Sequence, residues 1–269
     1  MNTHPAVSVQ GLGKTYGSGD AGVQALADVS FTVAPGEFVS VVGPSGAGKT
    51  TLLQCLSGLL SPTTGEVSIY GEKVRGPMES LGLVFQDYSR SLFPWLTAQG
   101  NVALPLRSRG LAKSEVLERT RSSLAAVDLS GHHDKYPWQM SGGMQQRVAI
   151  ARALALRPRV LLMDEPFASV DAQTRFDLED LVLTVWSQMD VTVLFVTHDI
   201  DEAVYLSHRV EVLSLPPTVV ASEMDVPLAR PRHQVTTRED PEFGHLRAEL
   251  LRRVMRLRAE GEARSAQAS

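Results

Sequence analysis

The sequence predicts an α/β protein with a mostly parallel core sheet, an antiparallel β portion near the amino terminus and a helical subdomain. Three observations lead to this prediction. Strand-like and helix-like segments alternate along the chain, a glycine-rich turn joins a buried strand to a helix at residues 43–50, and β-branched runs vanish between residues 87 and 158. Strands that alternate with helices pack as a parallel sheet covered by helices.

The first third of the chain combines two kinds of strand. Val7–Gln10 and the apolar-rich Gln24–Ala34, with its strand Ser30–Val33, have the pattern of a hairpin, whereas Phe38–Val42 is a continuous apolar run typical of a buried strand. The elements predicted next are a helix at Lys49–Leu60 and strands at Glu66–Tyr70 and Leu81–Phe85.

The rest of the chain is predicted from helical spacing and short apolar runs. Lys113–Val127 and Gln145–Leu156 have helical spacing and lie in the helical subdomain, residues 87–158. The elements predicted after it are strand Val160–Met163, helix Phe176–Met189, strand Val191–Val196, helix Ile200–Leu206 and a last core strand at Val210–Leu213.

The carboxyl-terminal part differs in composition, so we predict one domain over residues 1–230 and a tail over residues 231–269. Arg230–Arg264 holds nine Arg against six Asp or Glu. Phe243–Leu257 has apolar residues at 246, 250, 254 and 257, which predicts an amphipathic helix that packs on its own domain. Contact with a membrane surface or a partner is the alternative.

Composition excludes several classes of protein. The 269 residues are 43% hydrophobic and 21% charged, an ordinary globular balance, and the net charge of -4 argues against a nucleic-acid binder. The single cysteine, Cys55, cannot form an internal disulfide, which fits a reducing compartment. No apolar run approaches the roughly 20 residues of a membrane span. The amino terminus also lacks a secretory pattern, so we expect a cytoplasmic protein.

Residues Gly43–Thr50 read GPSGAGKT and match the phosphate-loop pattern GxxxxGK[ST]. Glycines let the backbone N–H groups curl around an anion, and the following helix adds its positive end. Lys49 is expected to reach the β- and γ-phosphates, and the Thr50 hydroxyl to ligate Mg²⁺. The alternative is a glycine-rich turn with an incidental lysine. The candidate phosphate-binding residues are Gly43, Pro44, Ser45, Gly46, Ala47, Gly48, Lys49, Thr50 and Thr51.

A second motif, VLLMDE at Val160–Glu165, delivers two carboxylates to the end of a buried strand. Open α/β sheets bind ligands at the carboxyl ends of their strands. Asp164 is therefore predicted to hold Mg²⁺ and Glu165 to act as the general base. A solvated pair of carboxylates is the alternative.

A third motif, SGGMQ at Ser141–Gln145, stands at the start of a predicted helix. Ser141 is a good N-cap, and Gly142 and Gly143 leave the first turn free of side chains. Such a helix start presents its N–H groups and dipole to an anion. The sequence thus predicts a second phosphate-binding element.

Together these motifs resemble those of the nucleotide-binding subunit of an ATP-binding cassette (ABC) transporter. The resemblance covers about residues 7–215 and rests on six motifs in the family's order. They are the phosphate loop at Gly43–Thr51, Gln86 after LGLVF, the signature Ser141–Gln145, the VLLMDEP segment, Asp171 in ASVD and His198 in VTHD.

The resemblance implies an ATPase in which two copies pair head to tail. Each ATP lies between the phosphate loop of one copy and the signature helix of the other, including Gln145. Tyr16 matches the aromatic residue that stacks on adenine, and Gln86 the residue that senses Mg²⁺ and water. Asp171 matches the contact to the opposite subunit, and His198 the residue that holds the γ-phosphate and the attacking water.

Three departures from the family pattern lie near these motifs. ASVD replaces the commoner SALD, and Trp138 and Met140 stand where histidine and leucine are common. They place the packing near the signature in doubt but leave Lys49, Glu165 and His198 in place.

The resemblance further implies an importer subunit bound to the inner face of the membrane through permease subunits, and indirectly to a solute-binding protein. The segment Asp87–Val102 contains Tyr88, Phe93 and Trp95, which suit the cleft that receives a membrane subunit or fill the local core instead. It resembles the nitrate, sulfonate and taurine importers. Amino-acid or phosphonate import, a soluble ABC ATPase without a solute and a P-loop kinase are the alternatives.

Overall fold

The computed structural model describes residues 4–17, 22–87 and 91–268, without the side chains of residue 262 and of residues 264–268. It divides into two compact units. Met1–Met78 and Thr192–Ser269 form one, the strand-rich unit, and Glu79–Val191 form the other, the helical unit. None of the helices in the described ranges combines the length and the apolar character needed to cross a membrane.

The described strands and helices follow one another along the whole chain. The strands are β1 (Val7–Tyr16), β2 (Val23–Val33), β3 (Phe38–Val42), β4 (Thr64–Ile69), β5 (Glu72–Lys73), β6 (Leu81–Val84), β7 (Val160–Asp164), β8 (Thr192–Val196), β9 (Arg209–Leu213) and β10 (Thr218–Asp225). The helices are α1 (Lys49–Leu56), α2 (Ala98–Ser108), α3 (Lys113–Ala126), α4 (Gly142–Ala155), α5 (Ala172–Met189), α6 (Ile200–Leu206), α7 (Thr236–Glu239) and α8 (Pro241–Ala268), with 3₁₀ turns at Ser130–His132 and Pro137–Gln139.

The strand-rich unit is a mixed sheet in the order β5-β4-β1-β2-β10-β9-β3-β8. β1 pairs antiparallel with β2 and β4, as the hairpin pattern predicts. β3 lies between β8 and β9 and is parallel to both, with Phe38 opposite Val193 and Val41 opposite Val196. The predicted fold class, a parallel core with an antiparallel amino-terminal portion, is confirmed.

The core of the strand-rich unit surrounds β3 and β8. All five residues of each strand are buried, which explains their continuous apolar runs. The rings of Phe38 and Phe195 lie 6.0 Å apart between centroids. This packing holds the carboxyl ends of both strands at one edge of the sheet.

The described part of the helical unit contains one parallel strand pair and four longer helices. β6 pairs with β7, with Leu81 opposite Val160 and Val84 opposite Met163. α4 buries an apolar face rich in small residues, among them Ala149, Ile150 and Ala153. This face packs against α2 and α3.

Some boundaries differ from the sequence predictions. α1 ends at Leu56 rather than Leu60, because Gly58 adopts a positive φ of 74°. The prediction that Val210–Leu213 is the last core strand is wrong, because β10 pairs antiparallel with β9 and parallel with β2. α2, with Pro105 inside it, was not predicted. α8 is longer than the predicted segment 243–257.

Arg209, at the start of β9, binds three carboxylates at once. Its Nε lies 3.0 Å from Glu37 Oε1, and its Nη1 lies 2.5 Å from Glu211 Oε1 and 2.6 Å from Glu223 Oε2. Nη2 donates to Thr32 O at 2.6 Å. Glu211 is 1% exposed, so its charge depends on this partner.

Arg209→Leu should destabilise the fold by about 3–5 kcal/mol, because it leaves a buried carboxylate without its cation. Urea unfolding of the purified chain measures the loss. Lys73→Ala, which removes the exposed pair with Glu66, is the control and should cost about 1 kcal/mol or less. Adding Glu211→Leu to Arg209→Leu should recover stability, and a double variant as unstable as the single one would contradict this account.

Candidate active site

The phosphate loop joins β3 to α1 in the strand-rich unit. Gly46 and Gly48 have φ values of 81° and 69°, a left-handed conformation that glycine adopts without strain. A Cβ on Gly43 would lie 3.0 Å from Leu213 O, tighter than ordinary contact. The loop therefore needs glycine at 46 and 48 for the backbone conformation and at 43 for lack of space.

The first turn of α1 has no side-chain cap. Its N-cap residue is Gly48, which has no side chain to accept from the N–H groups of the turn. Helix starts of this kind bind anions, because several donors and the helix dipole point the same way. Thr50 lies exposed in this turn. The arrangement therefore fits a bound phosphate with a hydroxyl beside it.

Lys49 lies against the loop that it is expected to serve. Its side chain is 8% exposed, and Nζ donates to Gly43 O at 3.0 Å and to Pro44 O at 3.2 Å. The Thr218 hydroxyl donates to Ala47 O at 3.2 Å and fastens the loop to β10. Main-chain oxygens thus hold the ammonium group at the loop.

Tyr16, at the end of β1, is linked to the same helix. Its hydroxyl lies 3.1 Å from Thr51 Oγ1, and Lys14 Nζ lies 5.7 Å from the ring centroid. The residue is 43% exposed, so part of the ring remains accessible. This position is compatible with stacking on a flat base.

His198 follows β8, the strand beside β3. The N–H of Thr197 donates to Val41 O at 3.2 Å, which continues the parallel pairing to the start of the phosphate loop. The structure therefore brings exposed His198 to the sheet edge where the loop begins. The next residue, Asp199, caps α6 through its carboxylate.

In the helical unit, Asp164 and Glu165 lie where β7 ends. Asp164 is 6% exposed, and Gln86 Nε2 donates to Glu165 Oε2 at 3.3 Å. Gln86 follows β6, and the parallel pairing of β6 with β7 explains why the two side chains meet. An amide donor orients a carboxylate without adding a charge, so Glu165 remains able to accept a proton.

Glu165 has a positive φ of 41°, which is uncommon for a residue with a side chain. Such a conformation costs of order 1–3 kcal/mol and persists only when surrounding contacts impose it. Glycine would adopt this φ with less strain, so the turn itself does not require a glutamate. The side chain that matters at this position is therefore the carboxylate.

The signature segment also lies in the helical unit, at the start of α4. Ser141 is the N-cap, and its Oγ accepts from the N–H of Met144 at 3.3 Å. The Gln145 amide donates to Pro137 O at 3.0 Å and to Met140 O at 3.3 Å, which fixes the preceding turn. α4 begins at Gly142, directly after the predicted N-cap Ser141 and three residues before the segment that helical spacing predicts.

Asp171 is the N-cap of α5. Its Oδ1 accepts from Thr174 N at 3.0 Å, and its Oδ2 from the Thr174 hydroxyl at 2.6 Å. These hydrogen bonds lower the pKa of the exposed Asp171 carboxyl. Thr174 also faces the signature, because a Cβ on Gly143 would lie 2.4 Å from its Cγ2. Thr174 belongs to no recognised motif, so nothing in the sequence points to it.

The Trp138 side chain, one of the departures noted above, stacks on Tyr136 with 4.5 Å between ring centroids. The residue is 66% exposed and precedes the signature by three positions. The departure therefore changes the surface of this turn and leaves the Ser141 cap intact.

The candidate site residues thus fall into two groups, one in each unit. Those in the strand-rich unit are Tyr16, the phosphate loop Gly43–Thr51 and His198. Those in the helical unit are Gln86, Asp164, Glu165, the signature Ser141–Gln145 and Asp171.

Comparisons with known proteins agree with these motifs. The ABC transporter family profile matches residues 26–168. An aliphatic sulfonates import ATP-binding protein of Bacillus cereus is 42% identical over 86% of this chain and 90% of its own length. A nitrate import ATP-binding protein of Synechococcus elongatus is 42% identical over 89% of this chain and 88% of its own length.

A solved structure of a dimeric ATP-binding cassette in a post-hydrolysis state, bound to ADP and phosphate, has a similar fold. Its TM-score is 0.71 at 35% identity, and the match covers 82% of this chain and 98% of that one.

Gly143→Ala should destabilise the helical unit by about 1–3 kcal/mol, because the new methyl group overlaps Thr174 Cγ2. Urea unfolding measures the effect, and Gly131→Ala, where a Cβ meets open space, is the control. Thr174→Ser in the same chain removes the methyl group, keeps the hydroxyl and should restore stability. Failure of this rescue would show that the contact is not what excludes alanine.

Proposed function

Because the chain belongs to the ABC transporter family, we propose that it drives the import of a small anion such as nitrate, a sulfonate or taurine. The chain is an ABC ATPase with a P-loop α/β fold. Relatives of about 40% identity that are named for sulfonate and nitrate import support this choice of solute. The solute itself is expected to contact other subunits.

One observation carries the proposal of a coupled ATPase. Gln86 donates to Glu165 on one side, and on the other it begins the segment that leads to exposed Trp95. A change at the γ-phosphate that moves Glu165 or its water would therefore move Gln86, which directly precedes the surface segment in the chain. The residue proposed to sense the γ-phosphate and the segment proposed to bind the permease are thus neighbours in the chain.

In the strand-rich unit, the proposed roles concern nucleotide binding. The uncapped N–H groups of α1 and the Lys49 ammonium hold the β- and γ-phosphates. The Tyr16 ring stacks on adenine. Lys49 must exchange at least part of its loop carbonyl contacts for phosphate oxygens when ATP binds.

The metal proposed for this site is Mg²⁺, whose preferred ligands are oxygen atoms. Thr50, Gln86 and Asp164 offer a hydroxyl, an amide carbonyl and a carboxylate, which match that preference. When bound, Mg²⁺ neutralises charge on the phosphate oxygens.

Hydrolysis is proposed to use Glu165 as the general base. A water oxygen bonds to the γ-phosphorus while the bond from that phosphorus to the bridging oxygen of ADP breaks. Glu165 accepts the water proton, Gln86 orients Glu165, and His198 holds the γ-phosphate and the water. Positioning and charge neutralisation supply most of the rate gain.

The remaining residues are proposed to act across a head-to-tail dimer. The start of α4, with Ser141, Gly142, Gly143 and Gln145, would bind the γ-phosphate held by the other copy. Asp171 would contact that copy directly. The dimeric cassette with ADP and phosphate supports this arrangement.

Permease subunits are proposed to bind the helical unit around residues 87–102, which places the chain at the inner face of the membrane. Phe93 and Trp95 have ring centroids 5.4 Å apart, and Trp95 is 69% exposed. Tyr88, predicted to belong to this loop, lies outside the described residues. Buried Asn101 accepts from Phe93 N at 2.8 Å and donates to Leu96 O at 3.1 Å, which gives the exposed ring a rigid base.

A groove of about 450 Å³ lies between α2 and α3 in the same unit. Apolar side chains, including Ala103, Leu111, Val116 and Leu117, contribute to its lining. This partly apolar groove, in addition to exposed Trp95, supports the assignment of this unit to partner binding.

Glu165→Gln should bind MgATP normally and hydrolyse it at least about a hundredfold more slowly, because it removes the general base. Single-turnover hydrolysis and equilibrium ATP binding measure the two properties separately. Near-normal turnover would contradict the role of Glu165.

Lys49→Ala is the contrasting variant in the same experiment. It should lose nucleotide affinity, because it removes the cation at the phosphates, and unchanged ATP binding would contradict the phosphate-loop assignment.

The coupling proposal predicts that tagged Glu165→Gln chain, expressed in its native cells with MgATP, retains a multi-span membrane protein after gentle solubilisation. Adding Trp95→Ala should reduce its recovery about tenfold or more, since truncating an interface tryptophan costs about 2 kcal/mol or more. Met255→Ala, an exposed residue on α8, is the control. Recovery of soluble partners alone would favour the soluble ABC ATPase.

A further inference from the structure

The chain after β10 folds back onto α6, the helix that follows His198. We call residues Val226–Leu250 the tail segment. It buries Phe243, Leu246 and Leu250 within the strand-rich unit. The tail helix α8 packs against α6. Its arginines make specific contacts with α6 that apolar packing alone would not require.

Arg232 caps the carboxyl-terminal end of α6. Its Nη1 donates to Val204 O at 2.8 Å and to Tyr205 O at 2.5 Å, and its Nη2 donates to Ser207 O at 2.6 Å. The last carbonyls of a helix have no partner within the helix, and a cation there also complements the dipole. A planar guanidinium reaches several of them at once, which an ammonium cannot do.

Arg232 is 9% exposed, and its hydrogen-bond acceptors among the described residues are main-chain oxygens. Burial lowers the pKa of its guanidinium to about 9, so the group remains charged at pH 7. A buried cation is costly unless it is well hydrogen-bonded. The position of α6 is therefore tied to that of Arg232.

Two further arginines hold the ends of α6. Arg230 Nη2 donates to Leu206 O at 2.7 Å. At the other end, Arg247 Nε lies 2.7 Å from Asp201 Oδ1. The tail segment thus contacts both ends of this seven-residue helix.

The carboxyl-terminal turn of α6 also makes a cation–π contact. The guanidinium carbon of Arg238 lies 4.8 Å from the ring centroid of Tyr205 and 5.5 Å from that of Phe243. Tyr205 is fully buried. A helix this short has little stability of its own, so these tertiary contacts set its position.

The first turn of α6 in turn holds the residues on both sides of His198. Asp199 Oδ1 accepts from the N–H of Asp201 at 2.8 Å, and Glu202 Oε2 accepts from the Thr197 hydroxyl at 2.5 Å. Thr197 Oγ1 also accepts from the N–H of Asp199 at 3.0 Å. A displacement of α6 therefore moves the main chain at His198.

We propose that the tail segment positions His198 for hydrolysis by holding α6, and that Arg232 is the main positioning residue. This role rests on the function proposed for His198. The proposal gives the arginine-rich tail segment a role in the hydrolysis step, whereas ATP affinity depends mainly on the phosphate loop.

Arg232→Met in the full-length chain should reduce ATP turnover by about tenfold to a hundredfold, since a misplacement of 1 Å can cost about a hundredfold. ATP affinity, measured in the Glu165→Gln background, should fall by no more than about threefold, because His198 is only one of several groups proposed to hold the γ-phosphate. Arg232→Lys should retain an intermediate turnover. The imidazole NMR signal of His198, assigned with His198→Gln, should shift.

The matched control is Arg253→Met. Arg253 lies on α8 but donates to Glu223 O at 2.8 Å instead of to α6. Turnover and the His198 signal should stay unchanged in this variant. Equal effects of Arg232→Met and Arg253→Met would overturn the proposal.

A second variant keeps the test decisive if Arg232→Met does not fold. Arg247→Gln removes a partly exposed ion pair and should shift the His198 signal. Turnover should fall by about twofold to threefold, because a partly exposed ion pair contributes less than about 1 kcal/mol. The charge-swapped pair Asp201→Lys with Arg247→Glu should restore both. An unchanged His198 signal in Arg247→Gln would overturn the proposal.

Coupling to His198 separates positioning from general stability. In the His198→Gln background, Arg232→Met should cause no further loss of single-turnover rate, whereas a full additional loss would overturn the proposal. If His198→Gln itself hydrolyses ATP normally, the function proposed for His198 fails. If it does not, but Arg232→Met leaves the His198 signal in place, only the role of the tail segment fails.

Discussion

The parallel pairing of β3 with β8 and β9 is the constraint on which the strand-rich unit depends. All three strands are buried apart from Arg209 at the start of β9, and β3 can lie between the other two because Phe38–Val42 is apolar except for Ser40. The pairing register then determines which residues emerge at the carboxyl edge. Gly43 follows β3 and Thr197 follows β8, so the phosphate loop and His198 start from neighbouring positions. A slip of one residue would turn these side chains to the opposite face.

Main-chain geometry rather than side-chain packing shapes the functional groups in both units. Gly46 and Gly48 supply left-handed turns, α1 presents uncapped N–H groups, and Glu165 has a positive φ. Neighbouring polar side chains then hold main-chain groups in place, as Thr218 does for the phosphate loop and Asp171 for the start of α5. Each contact satisfies a main-chain donor or acceptor, which would otherwise be costly to bury.

The amino-acid sequence alone was enough to predict an element where the pattern that defines it lies within a few neighbouring residues. The apolar run of β3, the glycine spacing of the phosphate loop and the N-cap Ser141 depend on residues a few positions apart. β10 was missed because its half-exposed sequence has no continuous apolar run, and it forms a strand through antiparallel pairing with β9, just before it in the chain, and parallel pairing with distant β2. α2 was missed because Gly100 and Pro105 weaken its helical pattern, while contacts of buried Asn101 with Phe93 and Leu96 stabilise its first turn.

The contacts of α6 link the site to a part of the chain that carries no motif. His198 lies between two residues bonded to the first turn of α6, and α6 is too short to hold its place alone. If a bound γ-phosphate favours one position of His198, linkage requires that it also favours the matching arrangement of Arg232 and the tail segment by the same free energy. Whatever shifts the tail segment must then shift His198 in return. The arginines of the tail belong to the energetics of the site although none of its motifs includes them.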